Sequence, residues 1–217
     1  DSPNLKMLAG YCDERLRKEY LEPHVSEGTL SAIGISEPGA GADPSGMSTK
    51  AVLKGDKWII NGRKIWITSA KEADFTILLA RTNPEAKGSG GMSCFLVDRD
   101  APGFNVVKQV PMLGGEYTYE IALEDCEVED WKLLGSEGEG FAPMQLRLGT
   151  RRMQMAAWCI GAAERALSIM TEHAPQRVTF GQPLSARQAV QWWVADAKMK
   201  IHAARLMAYD CAWKLDE

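Results

Sequence analysis

The sequence predicts an α+β protein of more than one domain: an antiparallel, barrel-like β-domain in the middle, followed by two long antiparallel helices forming half of a four-helix bundle. Three observations predict it. Between residues 30 and 134, short apolar runs alternate with turn signals. From about residue 139 apolar positions recur at steps of three and four, and a proline- and glycine-bearing break at 175–183 cuts that stretch in two. The 217 residues, 45% hydrophobic and 25% charged, are enough to bury cores of this size.

In chain order, residues 1–28 read as the end of an N-terminal helical domain. Leu5, Leu8, Leu16, Tyr20 and Leu21 stand among charges in an amphipathic stretch, ended by Pro23 and then Gly28. A start at Asp1-Ser2-Pro3, without Met, reads as processing or truncation. Residues 29–134 form the β-domain, with strands expected at 31–36, 48–53, 57–60, 64–68, 75–80, 93–97, 104–107 and 119–123. Gly55-Asp56 and Asn61-Gly62 tolerate the positive φ of tight hairpin turns, so 49–68 is expected to be a meander. Gly88 to Gly91 reads as an exposed loop.

Residues 135–217 supply the two helices. The first is expected to bury Met144, Leu148, Met155, Cys159, Ala163, Ala166 and Met170, with Gly149 and Gly161 allowing close backbone approach. The second is expected to bury Val190, Trp193, Val194, Ala197, Ile201, Ala204 and Ala208. A hairpin of two such helices leaves apolar surface uncovered.

Composition removes several function classes. The net charge is −4, from 25 basic and 29 acidic residues, and supplies no general field for a nucleic-acid backbone. No apolar run approaches 18 residues and no signal-like segment opens the chain, which leaves the cytoplasm of a bacterium or a mitochondrial matrix as the expected location. The five cysteines are scattered, never paired as C-x-x-C, and read as reduced buried thiols. His24, His173 and His202 lack ligand spacing, so no metal is expected.

The residues that carry chemistry are few. Glu37-Pro38-Gly39-Ala40-Gly41-Ala42-Asp43 follows a strand and reads either as a plain tight turn or as a loop turning N–H groups toward an anion or a heterocycle edge. Trp66-Ile67-Thr68 places an indole and a hydroxyl on one strand face, which serves either packing or a planar cofactor. Arg177, Thr179, Phe180 and Gln188 gather at the helical break, where a guanidinium either meets a pyrophosphate or caps the helix. Gly135-Ser136-Glu137-Gly138-Glu139-Gly140 carries two carboxylates that would repel phosphate, and it reads as a helix start. No G-x-S-x-G elbow is present to support acyl transfer through serine.

Taken together and in order, these segments resemble the acyl-CoA dehydrogenase family of flavoproteins. The matching stretches are Ile35 to Asp43, Gly55 to Thr68, Leu134 to Phe141, and Arg177 to Leu184 with Gln188. The resemblance implies a helical domain, a β-domain and a four-helix bundle, with FAD between the last two. It implies that Ile35, Ser36, Gly41 and Ala42 line the flavin, that Trp66, Ile67 and Thr68 hold the ring from the other side, and that Arg177, Thr179, Phe180 and Gln188 reach the FAD of a neighbouring subunit in a homodimer or homotetramer. Ala42, Arg151 and Arg152 match the segments that contact the acyl-CoA, with helix-surface solvation as the alternative for the two arginines.

The implied reaction is α,β-dehydrogenation of an acyl-CoA thioester to the trans-2-enoyl-CoA, with hydride passing to FAD and electrons onward to electron-transfer flavoprotein. Two departures stand out. Ala42 occupies a position where many members carry serine. The catalytic glutamate is expected beyond Glu217, because Arg151 stands where a minority of members place it, and a guanidinium cannot serve as a base. A nitroalkane oxidase-like or flavin monooxygenase activity on the same scaffold, or a catalytically incomplete fragment, are the competing readings.

Overall fold

The computed structural model describes residues 3–115 and 117–217. The chain folds as two units, the first ending at Arg147 and the second beginning at Leu148.

The first unit opens with α1 (Pro3–Tyr11), α2 (Glu14–Leu16), a π-helical turn at Arg17–Leu21, and α3 (Glu22–Ser26). The Asp13 carboxylate starts α2 by accepting the Leu16 N–H at 2.7 Å, one of the orphan donors of a helix end. Pro23 does not stop the helix as the sequence reading expected. It lies in the first turn of α3, where its missing N–H has no intrahelical partner to lose, and the helix ends before Gly28 at φ 75°.

Eight strands follow: β1 (Ser31–Gly34), β2 (Lys50–Lys54), β3 (Lys57–Thr68), β4 (Phe75–Arg81), β5 (Met92–Asp98), β6 (Phe104–Pro111), β7 (Tyr117–Glu129) and β8 (Leu133–Leu134). They form one sheet in the order β6-β7-β3-β2-β4-β5-β8, with β1 also on β4. The sheet is not a closed barrel, and it is not wholly antiparallel: β4 pairs in parallel with β1 and, at Arg81, with Lys50 of β2.

Asn61-Gly62 is not a hairpin turn. Gly55-Asp56 does turn β2 into β3, but Asn61-Gly62 sits inside the continuous β3 as a bulge against β7. Pairing with β7 outweighs local turn preference: Asn61 exchanges side-chain bonds with the Asp125 N–H (2.9 Å) and carboxylate (3.0 Å), and Gly62 admits Thr49 so closely that an added Cβ would lie 2.7 Å from the Thr49 Cα.

Burial explains why β4 and β5 read as unbroken apolar runs. Leu78, Ala80, Phe95 and Val97 join Trp58, Ile60, Ile67, Ile121 and Leu123 in the core on one face. Phe75, Ile77, Leu79, Met92, Cys94 and Leu96 face the other way and pack on Met7, Leu8, Leu16, Tyr20 and Leu21 of the opening helices. Tyr20 adds a 2.7 Å bond from its hydroxyl to Asp98, whose other oxygen accepts from Lys132.

The second unit consists of most of α4 (Phe141–His173), a two-stranded turn of β9 (Val178–Thr179) and β10 (Gln182–Pro183), and α5 (Gln188–Asp216). Along α5 the expected stripe is half-buried or buried from Val190 to Ala208, apart from Trp193, which is exposed. On α4 the expected stripe holds at Met144, Leu148 and Met170, which are buried or partly covered, and fails between Leu148 and Met170. Met155, Cys159, Ala163 and Ala166 are exposed, whereas Met153, Ala156, Ile160, Glu164 and Leu167 are partly covered, and Glu164 pairs with Arg205 of α5. This helix is apolar on two sides, so periodicity alone does not choose between them. Gly149 and Gly161 meet no atom within 4 Å of an added Cβ, so the close approach expected of them is not made within the described residues. All five cysteines are free, but Cys159 and Cys211 are exposed rather than buried.

Candidate functional site

The candidate site is built where β1 hands the chain to Ile35 and Ser36. After Ser36 the chain closes a tight turn, Glu37 and Ala40 exchanging backbone bonds of 2.8 and 3.2 Å. The Glu37 side chain folds back beneath this turn. One of its oxygens accepts from the N–H and hydroxyl of Ser48, both at 2.7 Å; the other accepts from the Thr49 N–H at 3.0 Å and from Lys64 Nζ at 2.9 Å. Lys64 also donates to the Ile35 carbonyl at 3.2 Å.

This ion pair is buried, with side-chain exposures of 0% for Lys64 and 2% for Glu37. Burial disfavours the Glu37 carboxylate, but the Lys64 charge and the hydrogen bonds outweigh it and hold the acid down at about 2. Burial likewise lowers the Lys64 ammonium from its ordinary value, with Glu37 opposing. Sequence reading missed both residues. The available signal was Lys64 itself, a charge four and six places along from Ile60 and Trp58 on their inward phase.

The pair lies beside a break in the sheet. Ile65 donates its N–H to the Ser36 carbonyl at 2.9 Å, and β3 slips register with β7 between Lys64 and Ile67. Trp66 takes φ 63° and Ser69 φ 60°, a left-handed conformation that costs a non-glycine residue roughly 1–2 kcal/mol. The slip sends Ile67 into the core and leaves Trp66 and Thr68 exposed on either side of it. Ile67 itself, buried and paired with Tyr119, does not face a ligand as the sequence reading expected.

The Ser36–Ile65 bond thus brings Ile35 and Ser36 against the Trp66–Thr68 segment, and Gly41 and Ala42 continue the same exposed loop. Among the described residues, the hydroxyls of Ser36 and Thr68, the Trp66 indole N–H, and the backbone N–H groups of Gly41 and Ala42 have no hydrogen-bond partner. A half-exposed aromatic plane with the uncommitted hydroxyls of Ser36 and Thr68 on neighbouring segments fits a planar, hydrogen-bonding ring system such as a flavin.

The remaining candidates lie in the second unit. Arg177 is exposed and its guanidinium has no partner among the described residues; the capping role falls instead to Gln176, which donates to the Glu172 carbonyl at 2.8 Å. Phe180 stands at the tip of the β9–β10 turn, 98% exposed and at φ 52°. Arg187 braces that tip, donating to the Thr179 carbonyl at 2.8 Å and lying 5.9 Å from the Phe180 ring. Gln188 opens α5, exposed. Arg151 packs its guanidinium 5.0 Å from the Trp158 ring and donates weakly to Gln154 at 3.4 Å, whereas Arg152 is exposed and makes no bond among the described residues. Of the two, Arg152 is the cation left available.

The chain matches the acyl-CoA dehydrogenase middle domain over residues 32–126 and the acyl-CoA dehydrogenase C-terminal domain over residues 138–217. The chain belongs to the acyl-CoA dehydrogenase family. It is 38% identical over 218 residues to (R)-benzylsuccinyl-CoA dehydrogenase of Thauera aromatica, covering 100% of this chain and 54% of that one. Butyryl-CoA dehydrogenase of Megasphaera elsdenii superposes with a TM-score of 0.87 at 35% identity, over 95% of this chain and 54% of that one. The prolyl acyl carrier protein oxidase AnaB superposes with a TM-score of 0.89 at 30% identity, over 95% of this chain and 55% of that one. The chain spans about half the length of the curated relatives it matches. The family is one of oxidoreductases that generally depend on FAD. Among the described residues no helix is long and apolar enough to cross a membrane.

Proposed function

We propose that this chain is the flavin-cradling core of an FAD-dependent acyl-CoA dehydrogenase that converts an acyl-CoA thioester to its trans-2-enoyl product. The observation that carries the proposal is the exposed Trp66 plane with the uncommitted hydroxyls of Thr68 and of Ser36, which the Ile65–Ser36 bond ties to it; Gly41 and Ala42 continue the loop from Ser36 with free N–H groups. Bound FAD supplies the two-electron acceptor for the substrate's β-hydride. The chain's own residues do the rest of what is assigned here. Trp66 covers one face of the ring and leaves the other to the substrate C–H bond, so only one side is productive. Donors at the ring edge favour the charge that accumulates on reduction.

Arg177, whose planar fork suits a pyrophosphate, acts with Thr179, Phe180 and Gln188 on the cofactor of a second subunit, which makes a homo-oligomer part of the working site. Arg152 is the cation offered to the acyl-CoA. No general base is assigned within this chain, since Arg151 stays protonated. Electron-transfer flavoprotein takes the electrons.

The test is anaerobic addition of acyl-CoA thioesters to the FAD-loaded protein that contains this chain. Bleaching of the flavin with formation of enoyl-CoA is expected, and a flavin that stays oxidised with every thioester refutes the assignment. The likeness to an acyl carrier protein oxidase favours a second reading, in which oxygen reoxidises the flavin. Stoichiometric peroxide formed in air, without electron-transfer flavoprotein, would identify it.

A further inference from the structure

The buried Lys64–Glu37 pair is more than a core contact. A methionine or leucine would fill the Lys64 space without desolvating an ammonium, and buried ion pairs are often no more stabilising than apolar replacements. What the ammonium does that a methyl cannot is tie two backbone segments together. It joins the Ile35 carbonyl to the carboxylate that organises Ser48 and Thr49, and it lies one residue before the Ile65–Ser36 bond. Gly34 packs against the same pair of strands: an added Cβ there would lie 2.8 Å from the Leu78 side chain and in ordinary contact, at 3.6 Å, with the Lys64 stem. Immediately beyond stands Trp66, in a conformation its own side chain does not favour.

We propose that Lys64, acting through Glu37 and the Ile35 carbonyl, is a positioning residue that holds the Ser36–Ile65 bond closed and keeps the Trp66 wall in its left-handed form before any cofactor arrives. The proposal rests on the reading of this wall as the flavin site, and it deepens that reading. Strain at Trp66 persists only where neighbouring contacts over-determine it: the Lys64–Glu37 pair and the Ile65–Ser36 bond hold the chain just before it, and pairing of Ile67 and Thr68 with Tyr119 and Thr118 of β7 holds it just after. Preformation matters for binding, because a wall already in place leaves less ordering to be done when the ligand docks.

The experiment compares the full chain with Lys64→Met and with the double variant Lys64→Met/Glu37→Gln, which removes both charges and leaves none unpaired. Folding is read from hydrogen exchange of the β4 and β5 amides. Two further readouts are taken. In the apo chain, the Ile65 amide exchange rate and the Trp66 backbone coupling constant report the bond and the left-handed conformation directly. With FAD added, the dissociation constant and the visible circular dichroism of the bound flavin report the wall.

The double variant is expected to keep β4–β5 protection, to exchange Ile65 at least about tenfold faster, to lose the positive-φ coupling at Trp66, and to bind FAD about tenfold more weakly with altered dichroism. Unchanged Ile65 protection and Trp66 coupling in the double variant overturn the proposal, whether or not FAD binds. Failure of the unsubstituted chain to bind FAD would instead count against the flavin reading, leaving the apo measurements to decide the role of Lys64.

Discussion

At Gly140 the chain crosses close over β5 just before α4 begins, and replacing it with alanine isolates the cost of that crossing. Its N–H donates to the Met92 carbonyl at 2.7 Å, and two residues earlier Gly138 donates to the Ser93 hydroxyl at 2.8 Å. A Cβ at residue 140 would lie 2.5 Å from the Cys94 nitrogen, 2.5 Å from the Ser93 carbonyl carbon and 2.8 Å from the Ser93 Cα. All three are backbone atoms of β5, which is hydrogen-bonded to β4 along its length, so no side chain can rotate aside. Relief requires the loop to lift by most of an ångström. That forfeits a hydrogen bond of about 1 kcal/mol and adds overpacking of about 1–3 kcal/mol.

Gly140→Ala is therefore expected to destabilise the first unit by about 2–4 kcal/mol, seen as faster exchange of the β4–β5 amides and a urea midpoint lowered by roughly 1–2 M. Gly161→Ala is the matched control: it lies within α4 with open space around it, and alanine there should stabilise the helix by about 0.5–1 kcal/mol. A change below about 0.5 kcal/mol at residue 140 would refute the steric argument.

Glu37 titrates at about 2 in the folded chain against 4.5 when unperturbed, so the stability it lends is complete above pH 4.5 and is lost as pH falls through 2. The loss is on the order of 3 kcal/mol, and an acid titration of Glu37→Gln should show a flatter pH dependence in that window. Tyr20→Phe removes the 2.7 Å bond to Asp98 while the ring still packs on Phe75 and Trp131; a loss of about 1–2 kcal/mol in the first unit is expected by urea denaturation. Phe180→Gly should leave the α4–α5 hairpin as stable or slightly more so in thermal melts, because it removes an exposed ring from a left-handed position, yet it should weaken FAD binding in the assembled protein.

The fold class was legible because two periodicities dominate the chain, and the β2–β3 turn because Gly55-Asp56 has only local demands to meet. What stayed hidden depends on partners distant in sequence. Asn61-Gly62 looks like a turn until Asp125 and Thr49 are placed beside it. The two parallel pairings of β4 leave no mark in its apolar run, since both faces are covered. On α4 the two apolar sides are equivalent until α5 selects one. At the site, the slip between Lys64 and Ile67 exposes Trp66 and Thr68 against the inward phase of Trp58, Ile60 and Lys64, and only their common face could be read from strand alternation. Their support could not, because Lys64 and Glu37 are 27 residues apart and only the fold makes them neighbours.

Trp66 and Phe180 share one property that bears on how this scaffold diverges. Each is a large aromatic residue held at positive φ with its ring largely in the open, so its own contacts offer little compensation for the backbone it adopts. On the reading proposed above, selection for a bound flavin is what keeps such residues in place. In a descendant that abandons the chromophore that pressure lifts while the conformational penalty stays, and drift at both codons should run toward glycine or asparagine. The pair is thus a sentinel by which silent copies of this scaffold can be told from working ones.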